Sequence, residues 1–144
     1  MNRAMLALIF ALGCTGGGGP NVVYQNSDPE ADEDTTPPTL THTPIETSQP
    51  IGDDVLITCT AADDDSGVFI VSVVYKQETS TSWQDAQLRA VDNAGNYEGY
   101  IPGDDVNSAG MDYYLKAIDG QNNVGTLPED GEDDPYHFRI STNG

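Results

Sequence analysis

The sequence predicts an all-β protein, specifically a seven-stranded antiparallel β-sandwich. From residue 39 onward, short runs alternate apolar and polar side chains, and clusters of Gly, Asn, Asp and Pro close each run. A two-residue period is typical of strands that bury one face, and regular spacing between turn clusters favours a sandwich or barrel. No segment sustains a helical period.

Each predicted strand presents one apolar face. In the second strand, Val55, Ile57 and Cys59 fall on one face, and in the sixth strand Tyr113, Leu115 and Ala117 do the same. About 100 residues in seven strands match the size of one immunoglobulin-like domain. In chain order, the predicted strands are Leu40–Pro44, Val55–Ala61, Val68–Lys76, Trp83–Val91, Tyr97–Ile101, Tyr113–Ile118 and Tyr136–Ser141.

The N-terminus has the three parts of a secretory signal. Arg3 precedes an apolar run that ends at Leu12, and Gly13-Cys14 follows. The run is too short for a transmembrane helix, which needs ~20 apolar residues. The glycines and proline after Cys14 exclude a continuing helix. Residues 1–13 are therefore predicted to be a signal peptide.

The residues around the cleavage point, 11–14, resemble the bacterial lipobox, although Ala11 stands where that motif prefers Leu. The resemblance implies a diacylglyceryl group on Cys14, cleavage of the chain before Cys14 and acylation of the new amino group, so that the acyl chains hold the protein in a membrane. Because Thr15 is not the Asp that retains such lipoproteins at the inner membrane of enteric bacteria, the resemblance implies the outer membrane. The expected location is the cell envelope.

A flexible acidic linker is predicted over residues 14–36, and a folded domain over residues 37–142. The linker contains glycines followed by acids and small polar residues, with too few apolar side chains to form a core. Cys59 is the only cysteine left after lipidation, so no disulfide within the chain is expected, and a buried thiol is predicted.

Four segments of the domain resemble bacterial immunoglobulin-like or fibronectin type III-like modules: Thr36–Pro44, Asp64–Lys76, Tyr97–Pro102 and Gly110–Asp119. The resemblance covers residues 36–142 and implies the sandwich fold and a non-catalytic role. Gly110 followed by Tyr113 suits a tyrosine corner, in which the phenol bonds back to the main chain. The disulfide of immunoglobulin domains has no counterpart, because the sixth strand carries no cysteine.

The net charge and the absence of catalytic motifs exclude several classes of function. With 24 acidic and five basic residues, the net charge is −19, which argues against nucleic acid as a partner. No metalloprotease, nucleophile-elbow or phosphate-loop motif is present, and neither His42 nor His137 neighbours a nucleophile. We therefore expect a protein that is not an enzyme, with a small hydrolase as the least favoured alternative.

Acidic loops are expected to meet at one end of the sandwich. Alternating strand directions bring together the loops that begin at Asp63 and Asp92 and the long acidic loop over residues 119–134, and Asp34 arrives there with the linker. Oxygen-rich loops suit Ca²⁺, which takes six to eight oxygen ligands. The candidate ligands are Asp63, Asp65, Asp119 and Asn123. The alternative is a solvated acidic cap, in which Asp and Asn are present for their turn chemistry.

An apolar patch is expected on the outer face of the third and sixth strands. If Val71, Val73 and Tyr75 face the core, the residues between them face outward. Such patches mark partner or ligand surfaces, unless a loop covers them or the register differs by one residue. The candidate patch residues are Ile70, Val74, Trp83, Tyr114 and Ile118.

Together these features predict a non-enzymatic envelope lipoprotein whose β-sandwich is a structural or protein-interaction module, with Ca²⁺ as a possible stabilising ion. The expected partners are the membrane, through Cys14, and an unidentified envelope protein or glycan. The alternative function is a carbohydrate-binding module that uses Trp83 and Tyr114, because aromatic rings stack on sugars.

Overall fold

The computed structural model describes residues 33–107 and 110–142, so the predicted signal peptide, Cys14 and most of the predicted linker lie outside it. The described chain contains strands and two short 3₁₀ turns, Gly103–Asp105 and Gly131–Asp133. Nine strands are present: β1 (Thr39–Thr41), β2 (Gln49–Pro50), β3 (Val55–Ala62), β4 (Val68–Gln77), β5 (Gln84–Ala90), β6 (Asn96–Ile101), β7 (Gly110–Asp119), β8 (Val124–Leu127) and β9 (Tyr136–Ser141).

The strands form a curled sheet in the order β1-β3-β6-β5-β4-β7-β9-β2, and β8 also pairs with β7. Strand β5 joins the two halves, because Gln84–Leu88 pair with β4 whereas Arg89 and Ala90 pair with β6. Every pairing is antiparallel except the short one between β2 and β9. The prediction of an all-β fold is confirmed, and the curled sheet fits the β-sandwich class.

The strand count differs from the prediction of seven. Each predicted strand overlaps one in the structure, but β2 and β8 were not anticipated. Strand β2 has two residues and pairs in parallel with β9, so it carries no periodic pattern. Strand β8 is half-exposed, with Val124 outside, and therefore lacks the alternation that marks the longer strands.

The core lies between the two halves of the curled sheet. Strand β3 alternates buried and exposed residues along its whole length, with Val55 and Ile57 among the buried ones. On the opposite half, Val73 of β4 and Leu115 of β7 are paired and fully buried. The predicted inward faces of these three strands are therefore confirmed. Burial of each aliphatic side chain contributes about 1.5–3 kcal/mol to stability.

Tyr113 lies at the centre of the core with no exposed surface. Its phenol oxygen accepts a hydrogen bond from the backbone N–H of Ile45 at 3.0 Å and lies 2.9 Å from Nε2 of His42. The predicted tyrosine corner is thus corrected in one respect. The phenol does bond to the main chain, but to the segment after β1, far earlier in the sequence.

The hydrogen bonds define the protonation of this cluster. Nδ1 of His42 donates to the Thr58 carbonyl at 2.6 Å, so in the neutral ring Nε2 is an acceptor. Burial raises the pKa of Tyr113 to about 12, which keeps the phenol protonated and able to donate to that nitrogen. Every polar atom of the cluster is satisfied when His42 is neutral.

Cys59 is buried on β3, as expected, with a free thiol. Burial raises the pKa of this thiol to about 11, so the reactive thiolate form is suppressed.

Candidate metal site at the acidic end

Three aspartates converge at one end of the domain. Carboxylate oxygens of Asp34, Asp63 and Asp119 all lie within 4.8 Å of one another. They come from the segment before β1, the loop after β3 and the end of β7. Asp34, near the start of the described chain, therefore lies beside these two loops, as the sequence predicted.

The loop between β3 and β4 is organised around Asp63. Its Oδ1 accepts hydrogen bonds from the backbone N–H groups of Ser66 at 2.9 Å and Gly67 at 2.7 Å, and a longer one from Asp65 at 3.3 Å. Gly67 has φ +77°, a conformation in which a side chain would be strained. The other carboxylate oxygen of Asp63 has no hydrogen-bond partner among the described residues, so it remains available to a cation.

Asp119 holds the turn after β7 in the same way. Its Oδ1 accepts the backbone N–H groups of Gln121 and Asn123, each at 2.8 Å, and its Oδ2 accepts the Asn123 side-chain amide at 2.7 Å. Although the carboxylate is only 1% exposed and burial alone raises its pKa, these hydrogen bonds outweigh burial and lower the pKa. Asp119 is therefore held as an anion.

Asp34 connects the predicted linker to both loops. Its Oδ2 accepts the Ser66 hydroxyl at 2.6 Å and the Ser66 backbone N–H at 3.2 Å. Its backbone carbonyl accepts the Asn123 side-chain amide at 2.8 Å. The end of the predicted linker is thus fastened to the domain by side chains of two different loops.

The negative charge of this triad has no basic partner within salt-bridge distance in the described ranges. The ion pairs there lie elsewhere and join Lys76 to Asp112, Arg89 to Glu98, Lys116 to Asp85 and His137 to Asp112. Three anionic oxygens this close repel one another unless a cation or protonation offsets the charge. The arrangement could hold a metal ion.

The predicted ligands occupy different places in this arrangement. Asp63 and Asp119 belong to the triad, and Asn123 lies against it through its amide nitrogen. Asp65 is exposed and does not belong to the triad; its backbone N–H caps Asp63 instead. Asp34 takes the third place. Asp34 was expected at this end with the linker but not among the ligands, because it lies 29 residues before Asp63 in the sequence.

The second half of the long acidic loop lies elsewhere. Strand β8 runs back along β7 and pairs Leu127 with Leu115. A Cβ on Gly131 would lie 3.6 Å from the ring of Tyr114. Residues 129–134 are therefore carried away from the triad, and the expectation that the whole acidic loop gathers at one end is wrong.

The predicted outer patch is partly correct. Trp83 and Tyr114 do come together, edge to face, with ring centroids 5.3 Å apart. Val74, however, is only 5% exposed, because it lies between Tyr114 and Asp85 on the ladder. The prediction that Val74 is exposed is wrong. Ile70 and Ile118 are paired across β4 and β7 and are half-buried.

The ammonium group of Lys76 lies over one ring of the Trp83–Tyr114 pair. Nζ of Lys76 lies 5.2 Å from the centroid of the Trp83 ring and donates to Asp112 at 2.9 Å. The Asp112 carboxylate also contacts Nδ1 of His137 at 2.9 Å. Burial raises the pKa of Asp112, but the hydrogen bonds and charges of Lys76 and His137 more than offset this and lower it. The face thus carries a fixed aromatic and ionic network.

Comparisons with known proteins show a likeness of fold to solved structures. No protein-family profile matches the chain, and no curated protein matches it. The domain resembles part of the solved structure of the endo-beta-1,4-mannanase from Thermotoga petrophila, with a TM-score of 0.51 and 12% sequence identity. The likeness is one of fold. It covers 78% of this chain and 22% of that chain, so this chain matches only about a fifth of the enzyme's length.

In the described residues, no helix has the length and apolar character needed to cross a membrane.

Proposed function

We propose that this chain is a non-enzymatic lipoprotein of the cell envelope, anchored through lipid on Cys14. Its immunoglobulin-like sandwich would act as a structural or protein-interaction module stabilised by Ca²⁺. The observation that carries this proposal is the triad of Asp34, Asp63 and Asp119, because it joins the end of the linker to two loops of the domain. A bound ion there would fasten the domain to its anchor.

Calcium suits this site better than magnesium. The donors that the triad offers are carboxylate oxygens from three separate segments, and Ca²⁺ accepts irregular shells of six to eight oxygens. Mg²⁺ requires near-octahedral geometry and keeps several waters. Ca²⁺ would also offset the charge of carboxylates that have no basic partner in the described part of the chain.

A melting experiment tests the calcium site. At about 100 times its Kd, a ligand stabilises the folded state by ~2.7 kcal/mol, which raises the melting temperature by roughly 10 °C or more in a domain of this size. Equal melting temperatures in millimolar Ca²⁺ and in EDTA would contradict the proposal, and Mg²⁺ should have a smaller effect.

A matched pair of variants locates the effect. Asp63→Asn removes one charge from the triad but keeps the oxygen that accepts the loop N–H groups, so it should abolish the calcium response. Asp92→Asn is the control, because Asp92 also accepts backbone N–H groups, from Ala94 at 2.8 Å and Asn96 at 3.2 Å, outside the triad. The control variant should respond to calcium as the unaltered chain does.

The immunoglobulin-like assignment is supported by the strand order. The half formed by β1, β3 and β6 faces the half formed by β5, β4, β7 and β9, and the two halves share one core. This division into two facing antiparallel groups is typical of immunoglobulin-like sandwiches.

Two further measurements test the envelope role. Mass spectrometry of the chain isolated from cells should find an N-terminal Cys14 that carries acyl chains, and an uncleaved or unlipidated terminus would exclude the anchor. Crosslinking in the native envelope should join the domain reproducibly to an envelope protein. Absence of any crosslinked protein would contradict the interaction role.

A carbohydrate-binding module is the second candidate, favoured by the aromatic pair of Trp83 and Tyr114. The structure with a similar fold is a mannanase, and the shared fold is compatible with this role. The Lys76 ammonium group, however, stands over the Trp83 ring, where a sugar would have to stack. A glycan array decides this point: binding that Trp83→Ala abolishes would favour the second candidate over the first.

A further inference from the structure

Phe69 is the most exposed large apolar residue of the described chain, with 71% of its surface accessible. It lies where the ladder between β4 and β7 slips, since Val68 pairs with Asp119 and Ile70 with Ile118. Such β-bulges re-aim a side chain and occur often at functional sites. The bulge turns the Phe69 ring toward solvent, which leaves the ring available to a partner that packs against it.

A groove of about 510 Å³ lies beside this ring. Its walls include Leu88 and Ala90 of β5 and Tyr97 of β6, and its inner end reaches Val71 of β4. Val71 and Leu88 belong to the hydrophobic core, with 1% and 2% of their surfaces exposed. An apolar side chain that entered the groove would therefore pack against the margin of the core.

The groove exists because β5 changes partners. The pairing of β4 with β5 ends at Val71 and Leu88, and the next residues of β5 pair with β6. Residues 68–70 of β4 consequently have no strand partner on the β5 side among the described residues. An unpaired strand edge beside a groove of mixed polar and apolar lining is an arrangement that can accept an added strand, with main-chain hydrogen bonds for affinity and pockets for alternate side chains.

The charge around the groove restricts which peptide segment could add a strand to β4. The segments that flank the groove, 61–71 and 87–98, contain five acidic residues and one basic residue. The basic residue, Arg89, lines the groove itself, and its guanidinium group is paired with Glu98 at 3.2 Å. In a chain with net charge −19, an acidic segment would be repelled here, and a basic segment would be attracted.

We propose that this groove binds an extended, basic segment of a partner polypeptide. The segment adds a strand to the free edge of β4 and places an apolar side chain between Phe69 and Tyr97, while its Lys or Arg residues face the flanking acids. This inference rests on the proposed interaction role and specifies the surface and the chemistry of the partner.

Short synthetic peptides and the full chain test the proposal. A peptide that alternates lysine with valine or phenylalanine should bind, as measured by fluorescence anisotropy, and its counterpart with glutamate in place of lysine should bind at least about tenfold more weakly, a difference of ~1.4 kcal/mol. Two further versions carry N-methyl groups on alternate residues, so that each blocks one edge of the peptide. One of them should lose binding and the other should keep it.

Variants of the chain complete the test. Phe69→Ser should weaken binding of the lysine peptide about tenfold or more, with little change in stability because the ring is exposed. Tyr100→Ser is the matched control, an aromatic of β6 that is 49% exposed and does not line the groove, and it should bind as the unaltered chain does. Equal binding by the Phe69→Ser variant, or equal loss with both N-methylated peptides, would overturn the proposal.

Failure here is distinct from failure of the proposed function. A chain that crosslinks to an envelope protein but binds no peptide at Phe69 overturns this inference and leaves the interaction role standing. A chain that binds the lysine peptide at Phe69 but captures no envelope protein supports the groove and contradicts the envelope role. The peptide titrations are run both with calcium and with EDTA, so a missing calcium site does not affect their outcome.

Discussion

The phenol oxygen of Tyr113 accepts a 3.0 Å hydrogen bond from the backbone N–H of Ile45, although 68 residues separate the two in sequence. This bond fastens the irregular segment after β1 to the centre of the core. Because the phenol is fully buried, loss of its hydroxyl would leave both of its partners without this hydrogen bond.

Tyr113→Phe should therefore destabilise the domain without altering its shape. The change leaves the Ile45 N–H and Nε2 of His42 without their partner, and a buried unsatisfied polar group costs about 1–3 kcal/mol. Urea unfolding measures the loss as a lower midpoint at an unchanged slope. Tyr100→Phe, at an exposed tyrosine, should leave the midpoint where it is, and equal effects of both changes would contradict this account.

Protonation of His42 should weaken the fold as the pH falls. Burial lowers the pKa of His42 below its ordinary value of 6.5, although its bond to the Thr58 carbonyl acts in the opposite direction. The unfolded chain therefore takes up a proton near pH 6.5, whereas the folded chain does so only at lower pH. The stabilising contribution is complete above 6.5 and is lost as the pH falls from there through the folded-state pKa.

Unfolding free energies measured at intervals from neutral pH to about pH 5 check this prediction. His42→Gln should flatten the slope in that window, because the replacement does not titrate. His137→Gln should keep the slope that His42 produces, since His137 lies on the opposite face of the core beside Asp112. An unchanged slope in the His42→Gln variant would show that another group causes the pH dependence.

Val74→Ala should lower stability, although the pattern of β4 places this residue on the outer face. The side chain is 5% exposed, and burial of a valine contributes about 1.5–3 kcal/mol. The free energy of unfolding should fall by most of that amount. Val91→Ala serves as the control, because Val91 is 49% exposed, and its effect should stay within about 0.5 kcal/mol.

Gly125→Ala should disturb the contact between β1 and β8. A Cβ at this position would collide with the backbone carbonyl oxygen of Pro38, which cannot move aside as a flexible side chain could. Overpacking of this kind costs about 1–3 kcal/mol. Val124→Ala, at the exposed neighbouring residue, is the matched control, and thermal melting of both variants should show a large decrease only for Gly125→Ala.

The alternation of residues along each long strand was sufficient to predict which side chains face the core. Val55, Ile57, Cys59 and Ala61 recur at every second position, and this two-residue period is the one with which strand side chains alternate between faces. Strands β4 and β7 are also adjacent, as predicted, and their inward faces coincide, so that Tyr75 lies opposite Tyr113. A shift by one residue would have turned every apolar side chain of a strand outward, which is why the register is so strongly specified.

Local pattern could not place groups that meet through the fold. Asp34 belongs to a stretch whose composition resembles the linker, yet it bonds to Ser66 and to Asn123. The exposure of Phe69 depends on a bulge and on the partner change of β5, and neither leaves a signal in composition or periodicity.

The sequence by itself determined the all-β class, the faces of the long strands and the excess of acids in the turns, because these depend on residue type and on short-range periodicity. Only the tertiary structure decided that Asp34 completes a triad with Asp63 and Asp119, that Val74 is covered and that Phe69 borders a groove. These features depend on which distant segments pack together, and that is set by the closure of the whole sheet around its core.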